Sequence, residues 1–270
     1  MRDVNIIYLK MTSASGATSK IKIRSLYMAN TWFAGYKEVK RLRMKFENTE
    51  VWGFEHALRG MRNPLNSWDK SDSRYATKLD CQTIQGMKEG IYIIGEGDMR
   101  LAKKLIAGGS EHRKFLRQIM ISVDITAPLY WFKEFDTYKV GTTANSTSTM
   151  HTLSKDPITK DCFELDDVDD IYMKFFFDEV IDKLEAMRVT YNQFRNMGEA
   201  DKAREAWKAL VAALPESWLQ TRTVTMNYEN LFNMYHQRSH HKLKQWSEDF
   251  CNWVKTLPYA KEFICGEDDE

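Results

Sequence analysis

Residues 125–151, ITAPLYWFKEFDTYKVGTTANSTSTMH, decide the reading of this 270-residue chain, because they join an apolar helical pattern to a hydroxyl-rich stretch. Thr126 can cap the helix, and Pro128 can occupy an early helical position, where its missing N–H leaves nothing unsatisfied. Leu129, Phe132 and Phe135 repeat at helical spacing, and the helix is expected to end near Lys139, before Gly141. Beyond it, Thr142, Thr143, Asn145, Ser146, Thr147, Ser148 and Thr149 place seven hydrogen-bonding side chains in eight positions, more than a turn requires. A loop of that composition suits a polar ligand.

Upstream, residues 118–125 alternate enough to form a strand that feeds this helix. Asp98 can cap a helix over 99–107, which Gly108 and Gly109 would terminate. Residues 62–75, RNPLNSWDKSDSRY, form a polar stretch that is a candidate lid. Helices are expected over 31–43 and 52–61, and short strands over 4–9 and 21–27, separated by the turn-like residues 12–19 and forming a hairpin.

Downstream, residues 155–170 are acidic and irregular, with Asp166, Asp167, Asp169 and Asp170 clustered ahead of a long helix from Ile171. Carboxylates at a helix start meet its exposed N–H groups, which explains the cluster without an ion, and no glycine-containing calcium loop accompanies it. Met173, Phe176, Val180, Leu184 and Met187 form an apolar stripe along that helix, either core or subunit interface. His236 and His240 are spaced as in a zinc half-site. Gln237, however, stands where a metalloprotease helix needs Glu, and no third ligand follows, so no metal site is expected. Together with His241 they are expected to line a polar groove beside Arg238.

The formal charge of +1 gives no global basic field, which leaves room only for a local basic patch, and no strong nucleic-acid signature appears. No apolar run approaches membrane-spanning length and the N-terminus has no signal-like h-region, so a cytoplasmic protein without membrane association is expected. Cys81, Cys162, Cys251 and Cys265 are scattered, which favours reduced thiols without a catalytic role. With 43% hydrophobic and 13% aromatic residues the chain can bury a core as one domain, 1–270. Residues 1–95 are its less recognisable part and 266–270 an acidic tail.

A second informative stretch is NYENLFNMYHQR, residues 227–238, in which Asn227, Asn233 and Arg238 recur along one helical segment. Arg238 has two readings: a surface arginine paired with a carboxylate, or a planar fork on phosphate or flavin.

In order and spacing these stretches resemble the flavin-dependent thymidylate synthases. That family carries an apolar helix ending in Arg-His-Arg, a small-residue loop, a Ser, and an Arg followed by an aromatic. Here Thr137, Tyr138 and Lys139 stand in the Arg-His-Arg positions, Gly141 and Asn145 fit the loop, Ser148 fits the Ser, and Met150 and His151 replace the last pair. Asn227, Asn233 and Arg238 reproduce the spacing of a family helix that holds flavin and nucleotide, with Glu229 where another Arg is usual. Gln245 and Trp246 resemble its Ala-Gln-Trp-Glu run, and Gly198, Ala203, Arg204, Leu214 and Pro215 an intervening segment. The family's Glu-His pair falls near Glu111 and His112 or near Arg117 and Gln118, depending on a gap. The resemblance spans residues 97–260.

The resemblance implies an α+β fold, a twisted sheet flanked by helices, assembled as a homotetramer with sites between subunits. It implies FAD as cofactor, held by Asn227, Asn233, Arg238 and Lys139, and a pyrimidine nucleotide such as dUMP contacted by Asn145, Ser146, Ser148 and His151. The implied reaction is reductive methylation with methylenetetrahydrofolate and NADPH as co-substrates. No catalytic residue is assigned. Met150 counts against full activity, since a thioether cannot make the charge-assisted hydrogen bonds of an arginine, with Arg113, Lys114 and Arg117 as candidate compensators. The alternative is a catalytically inactive nucleotide- or flavin-binding or structural protein on the same scaffold.

Overall fold

The computed structural model describes residues 7–12, 18–23, 44–83, 90–165 and 168–266. The helix expected over 31–43, the Cys81 side chain, Asp166, Asp167 and residues 267–270 of the acidic tail lie outside the described residues. The chain divides into two units, Met1–Arg41 and Leu42–Glu270.

In the first unit, β1 (Ile7–Thr12) and β2 (Thr18–Ile23) pair antiparallel, Ile7 opposite Ile23 and Thr12 opposite Thr18. This is the expected hairpin, with its strands shifted by a few residues. The second unit runs β3 (Lys45–Trp52), α1 (Phe54–Arg62), β4 (Arg74–Tyr75), α2 (Lys78–Thr83), β5 (Tyr92–Ile93) and α3 (Glu96–Ala107). There follow β6 (Met120–Pro128), α4 (Leu129–Phe135), β7 (Thr143–Ser146), the single turn α5 (Thr149–Thr152), and the long helices α6 (Ile171–Asn196) and α7 (Ala200–Ala213). The chain closes with β8 (Leu219–Asn227), α8 (Tyr228–Arg238) and α9 (Cys251–Lys255), the last flanked by the wider π-type turns Gln245–Phe250 and Lys261–Cys265.

Four strands form the antiparallel sheet, in the order β3-β6-β8-β7. Strand β6 shows why one face is dry: Ile121, Val123, Ile125 and Ala127 are buried, while Ser122, Asp124 and Thr126 alternate onto the other face. Val224 and Met226 of β8 extend the apolar face, which packs on Leu58 of α1, Trp131, Phe132 and Phe135 of α4, Leu231 and Met234 of α8, and Trp246, Phe250 and Phe263. Trp131 stacks on Trp246 at 4.4 Å and on Phe135 at 5.1 Å, so the helix after β6 is locked to the C-terminal segment. A smaller core of Leu153, Ile158, Phe163, Ile181, Leu184 and Leu210 holds the α6–α7 hairpin.

Several local expectations change. The helix after β6 ends at Phe135 rather than near Lys139, Pro128 closes the strand, and Thr126 lies in β6 with its hydroxyl 2.7 Å from that of Thr221. The hydroxyl-rich loop contains an edge strand, β7. Trp52 belongs to β3, and helix α1 starts only after Gly53, at φ 94°. A Cβ there would lie 2.2 Å from the Gln118 carbonyl oxygen, so only glycine permits that approach.

Asp98 does not cap α3. The helix begins at Glu96, and the Asp72 carboxylate accepts from the Gly97 and Asp98 amides at 2.7 and 2.9 Å. Asp98 instead points inward, fully buried, to Arg62 at 2.6 Å and to the Ser71 and Ser73 hydroxyls at 2.6 Å each. The stretch expected to be a lid is therefore pinned by a buried ion pair and two hydroxyls. Asp98→Ala leaves the Arg62 charge uncompensated inside the protein. It is expected to lower unfolding free energy by about 3–5 kcal/mol, read by urea denaturation; a loss under about 1 kcal/mol contradicts the pinning.

Candidate functional site

Strand β8 runs into α8 without a loop, and the junction is fixed by a reciprocal cap. The Asn227 side chain accepts from the Asn230 amide at 3.0 Å, and the Asn230 side chain accepts from the Asn227 amide at 3.2 Å. Asn230 Nδ2 also donates to the Val140 carbonyl at 2.7 Å, which ties the turn after α4 to the first turn of α8. Gly141 follows at φ 77°, and a Cβ there would sit 2.8 Å from Asn227 Nδ2 and 3.2 Å from Asn230 Oδ1.

At the other end of α8, Arg238 Nε donates to the Tyr138 hydroxyl at 2.9 Å, and Nη1 to Glu134 Oε2 at 2.8 Å. The guanidinium lies 5.0 Å from the Trp246 ring centre and 5.6 Å from that of Tyr138. The Tyr138 hydroxyl donates to Gln237 at 2.9 Å, and His241 Nε2 lies 3.3 Å from the same Glu134 oxygen. His241 Nδ1 accepts from the Leu243 amide, which leaves Nε2 to face the carboxylate. The carboxylate-paired reading of Arg238 thus describes its resting geometry.

Residues 138–141 and both ends of α8 therefore form one seam. Around it, Lys139 is exposed, and Lys139, Asn227 Nδ2, Arg238 Nη2 and the solvent-shielded Thr142 hydroxyl have no hydrogen-bonding or ionic partner among the described residues. This donor set suits a polar, negatively charged ligand.

The other residues expected in the site lie apart from the seam. Asn233 is turned by about 140° from Arg238 around the helix and accepts from Arg113 Nη2 at 3.3 Å. Arg113 Nε also donates to both Glu229 oxygens at 3.1 Å, and its guanidinium lies 4.0 Å from the Phe232 ring centre. Asn145 pairs with Thr223 and shares the polar sheet face with Thr143, Thr225 and Asp124, whereas Ser146 pairs with Arg222 and falls on the opposite face. Ser148, Met150 and His151 lie on the short α5 turn, where the Ser148 carbonyl accepts from the His151 and Thr152 amides. His236 and His240 are exposed, and among the described residues no three His, Cys, Asp or Glu side chains could share a metal.

Arg222 was not anticipated. It donates to Asp136 at 2.8 Å and to Gln220 at 2.9 Å, and lies 3.9 Å from the Phe132 ring centre, bracing β7 and β8 against the end of α4. The alternation of residues 219–227 is the signal that marks its strand.

Two outcomes test this geometry. Gly141→Ala is expected to lower unfolding free energy by about 1–2 kcal/mol, the cost of a left-handed residue carrying a Cβ, and to displace the Asn227 amide, read as a shifted side-chain amide resonance. Hydrogen bonds from Thr223 at 2.5 Å and Asn48 at 2.8 Å hold the Asp124 carboxyl below its usual range. Its stabilising contribution is complete above the ordinary carboxylate pKa and fades as pH falls through the lowered value. Thr223→Val should move the Asp124 titration upward in a carboxyl-detected NMR experiment, and an unmoved titration contradicts the assignment.

No protein-family model and no curated protein sequence matches this chain. Solved structures do. A crystal structure of the flavin-dependent thymidylate synthase ThyX from Helicobacter pylori, complexed with FAD and dUMP, matches with a TM-score of 0.57 and 15% identity over 84% of this chain and 99% of that one. A second crystal structure of ThyX from Helicobacter pylori with FAD and dUMP gives 0.56 and 15% over 83% and 97%. The α+β architecture, an antiparallel sheet flanked by helices, is the fold these enzymes share with this chain, a distant relationship in structure.

Proposed function

We propose that this chain is a divergent flavin-dependent thymidylate synthase-like enzyme, acting on dUMP or a related pyrimidine nucleotide. One observation carries the reading. Two segments about ninety residues apart, each resembling a ligand-binding stretch of that family, are joined by the Asn230–Val140 and Arg238–Tyr138 hydrogen bonds. The neighbours of this fold were crystallised with FAD and dUMP, and the donor set at the seam has the chemistry for a phosphate-bearing ligand.

In this reading Lys139, Asn227 and Arg238 hold FAD at the seam and Asn233 does so beside Arg113. Asn145, Ser146, Ser148 and His151 contact the nucleotide. Bound flavin supplies hydride transfer, with NADPH as reductant and methylenetetrahydrofolate as one-carbon donor. The chain's own contribution is positioning. Arg238, braced by Tyr138 and Trp246, keeps its Nη2 donor for an anion, while Glu134 neutralises it until one arrives.

Asn145, Ser146 and α5 lie apart from the seam within one chain, which supports sites completed by a neighbouring copy in a homotetramer. The apolar stripe on α6 divides accordingly. Leu184 is buried and Val180 and Met187 pack on the smaller core, but Met173 and Phe176, with Tyr172 beside them, remain exposed.

The purified protein is expected to take up FAD, seen as flavin absorption, and to form dTMP from dUMP with NADPH and methylenetetrahydrofolate. Absence of both flavin uptake and dUMP binding would overturn the reading; flavin and nucleotide binding without dTMP would leave a binding protein. Arg238→Ala should weaken flavin or nucleotide binding about tenfold or more by calorimetry, with the fold intact. Met150→Arg should tighten dUMP by a similar factor, and unchanged affinity removes position 150 from the nucleotide site. Light scattering should give a tetramer, and a monomer at micromolar concentration contradicts shared sites.

A further inference from the structure

We propose that the cleft at the end of β3 binds an organic ammonium cation. The cleft has a volume of about 360 Å³ and is lined by Trp52, Phe54, Glu55, Tyr75, Tyr92 and Tyr259, among others. Among the described residues no lysine or arginine lines it, and His56 is the one basic side chain at its wall. Aromatic ring faces carry negative potential, so several rings beside a carboxylate attract a cation with an apolar coat and repel an anion.

Three features set this cleft apart from an ordinary surface crease. Trp52 is 45% exposed and Tyr75 50% exposed, so two large rings remain in contact with water on one wall. The walls are fixed in advance. Tyr75 meets Tyr92 edge-on at 5.0 Å, while the Tyr259 hydroxyl accepts from the Ile94 amide and donates to the Tyr92 carbonyl, each at 3.0 Å. Tyr259 itself holds a left-handed backbone, φ 56°, a strained conformation for a side-chain-bearing residue that these two bonds retain. Finally, Glu55 accepts from the Tyr75 hydroxyl at 2.9 Å through one oxygen, and its other oxygen has no partner among the described residues.

The cleft is placed beside the seam by strand register. Trp52 pairs with Met120 and Met120 with Asn227, two strand spacings or about 10 Å across the sheet. Tyr228 stands between them, edge-on to Phe54 at 5.7 Å and bonded through its hydroxyl to the Pro258 carbonyl at 2.8 Å. The inference does not rest on the proposed reaction, since no residue of the seam lines the cleft.

Choline is the probe, titrated into the full chain, with sodium chloride at matched ionic strength as control. Saturable binding is expected by calorimetry and as a change in tryptophan fluorescence. Trp52→Leu and Glu55→Gln, both at exposed positions, should each weaken it by about two- to fivefold, the scale of one cation–π or exposed ionic contact. A response no larger than that to sodium chloride, or unchanged affinity in either variant, overturns the proposal.

Discussion

Strand β8 is hydrogen-bonded on both sides, to β6 through nine residue pairs and to β7 through four, and the point where that ladder stops decides where α8 begins. Met120 opposite Asn227 is the last pair, and the next residue, Tyr228, is already helical and wholly buried. Because the strand enters the helix without a linker, the azimuth of α8 is set by the sheet rather than by a flexible connection. Asn230 then meets Val140, and Arg238 meets Tyr138, as geometric consequences of one register. A slip there would move every polar group of the seam together.

The charges at the seam orient a cation more than they stabilise the fold. Glu134 serves both Arg238 and His241 with one oxygen, and the Arg238 side chain is about four-fifths buried beside the Tyr138 and Trp246 rings. A partly exposed pair of this kind contributes little net free energy, because desolvation offsets attraction. It does hold a guanidinium in one plane. Under the proposed function, an incoming anion would compete with a carboxylate for a cation already oriented, and less side-chain entropy would be lost in doing so.

Much of this was legible in the sequence, for physical reasons that differ by residue. The helix at Leu129 and the long helix from Ile171 were marked by periodicity and by side chains that satisfy helix N–H groups, whereas the reciprocal cap at Asn227 was not read; Asp170 accepts from the Tyr172 and Met173 amides, which accounts for that acidic position without an ion. Strand β3 escaped notice because its residues are mostly exposed and a bulge at Asn48, φ 52°, breaks the alternation. Asp98 was misread because a carboxylate near a helix start has two uses, and only the fold brings Arg62 close enough to choose the inward one. The Arg113–Glu229 pair spans 116 positions, and no local pattern announces it.

The short edge strand β7 carries a consequence for how this protein can vary. Asn145 and Ser146 are adjacent in sequence yet belong to opposite faces of the sheet, one beside Thr223 and the other beside Arg222. The turn that precedes β7 contains Gly141 and joins it to the α8 cap. An added residue there that is passed into the β7–β8 register, rather than absorbed by the turn, would exchange the two faces wholesale, whereas two such residues would restore them. Over this segment, parity of chain length is a discrete genetic variable, and a family built on the fold could change what its sheet presents by insertion alone, with every side chain kept.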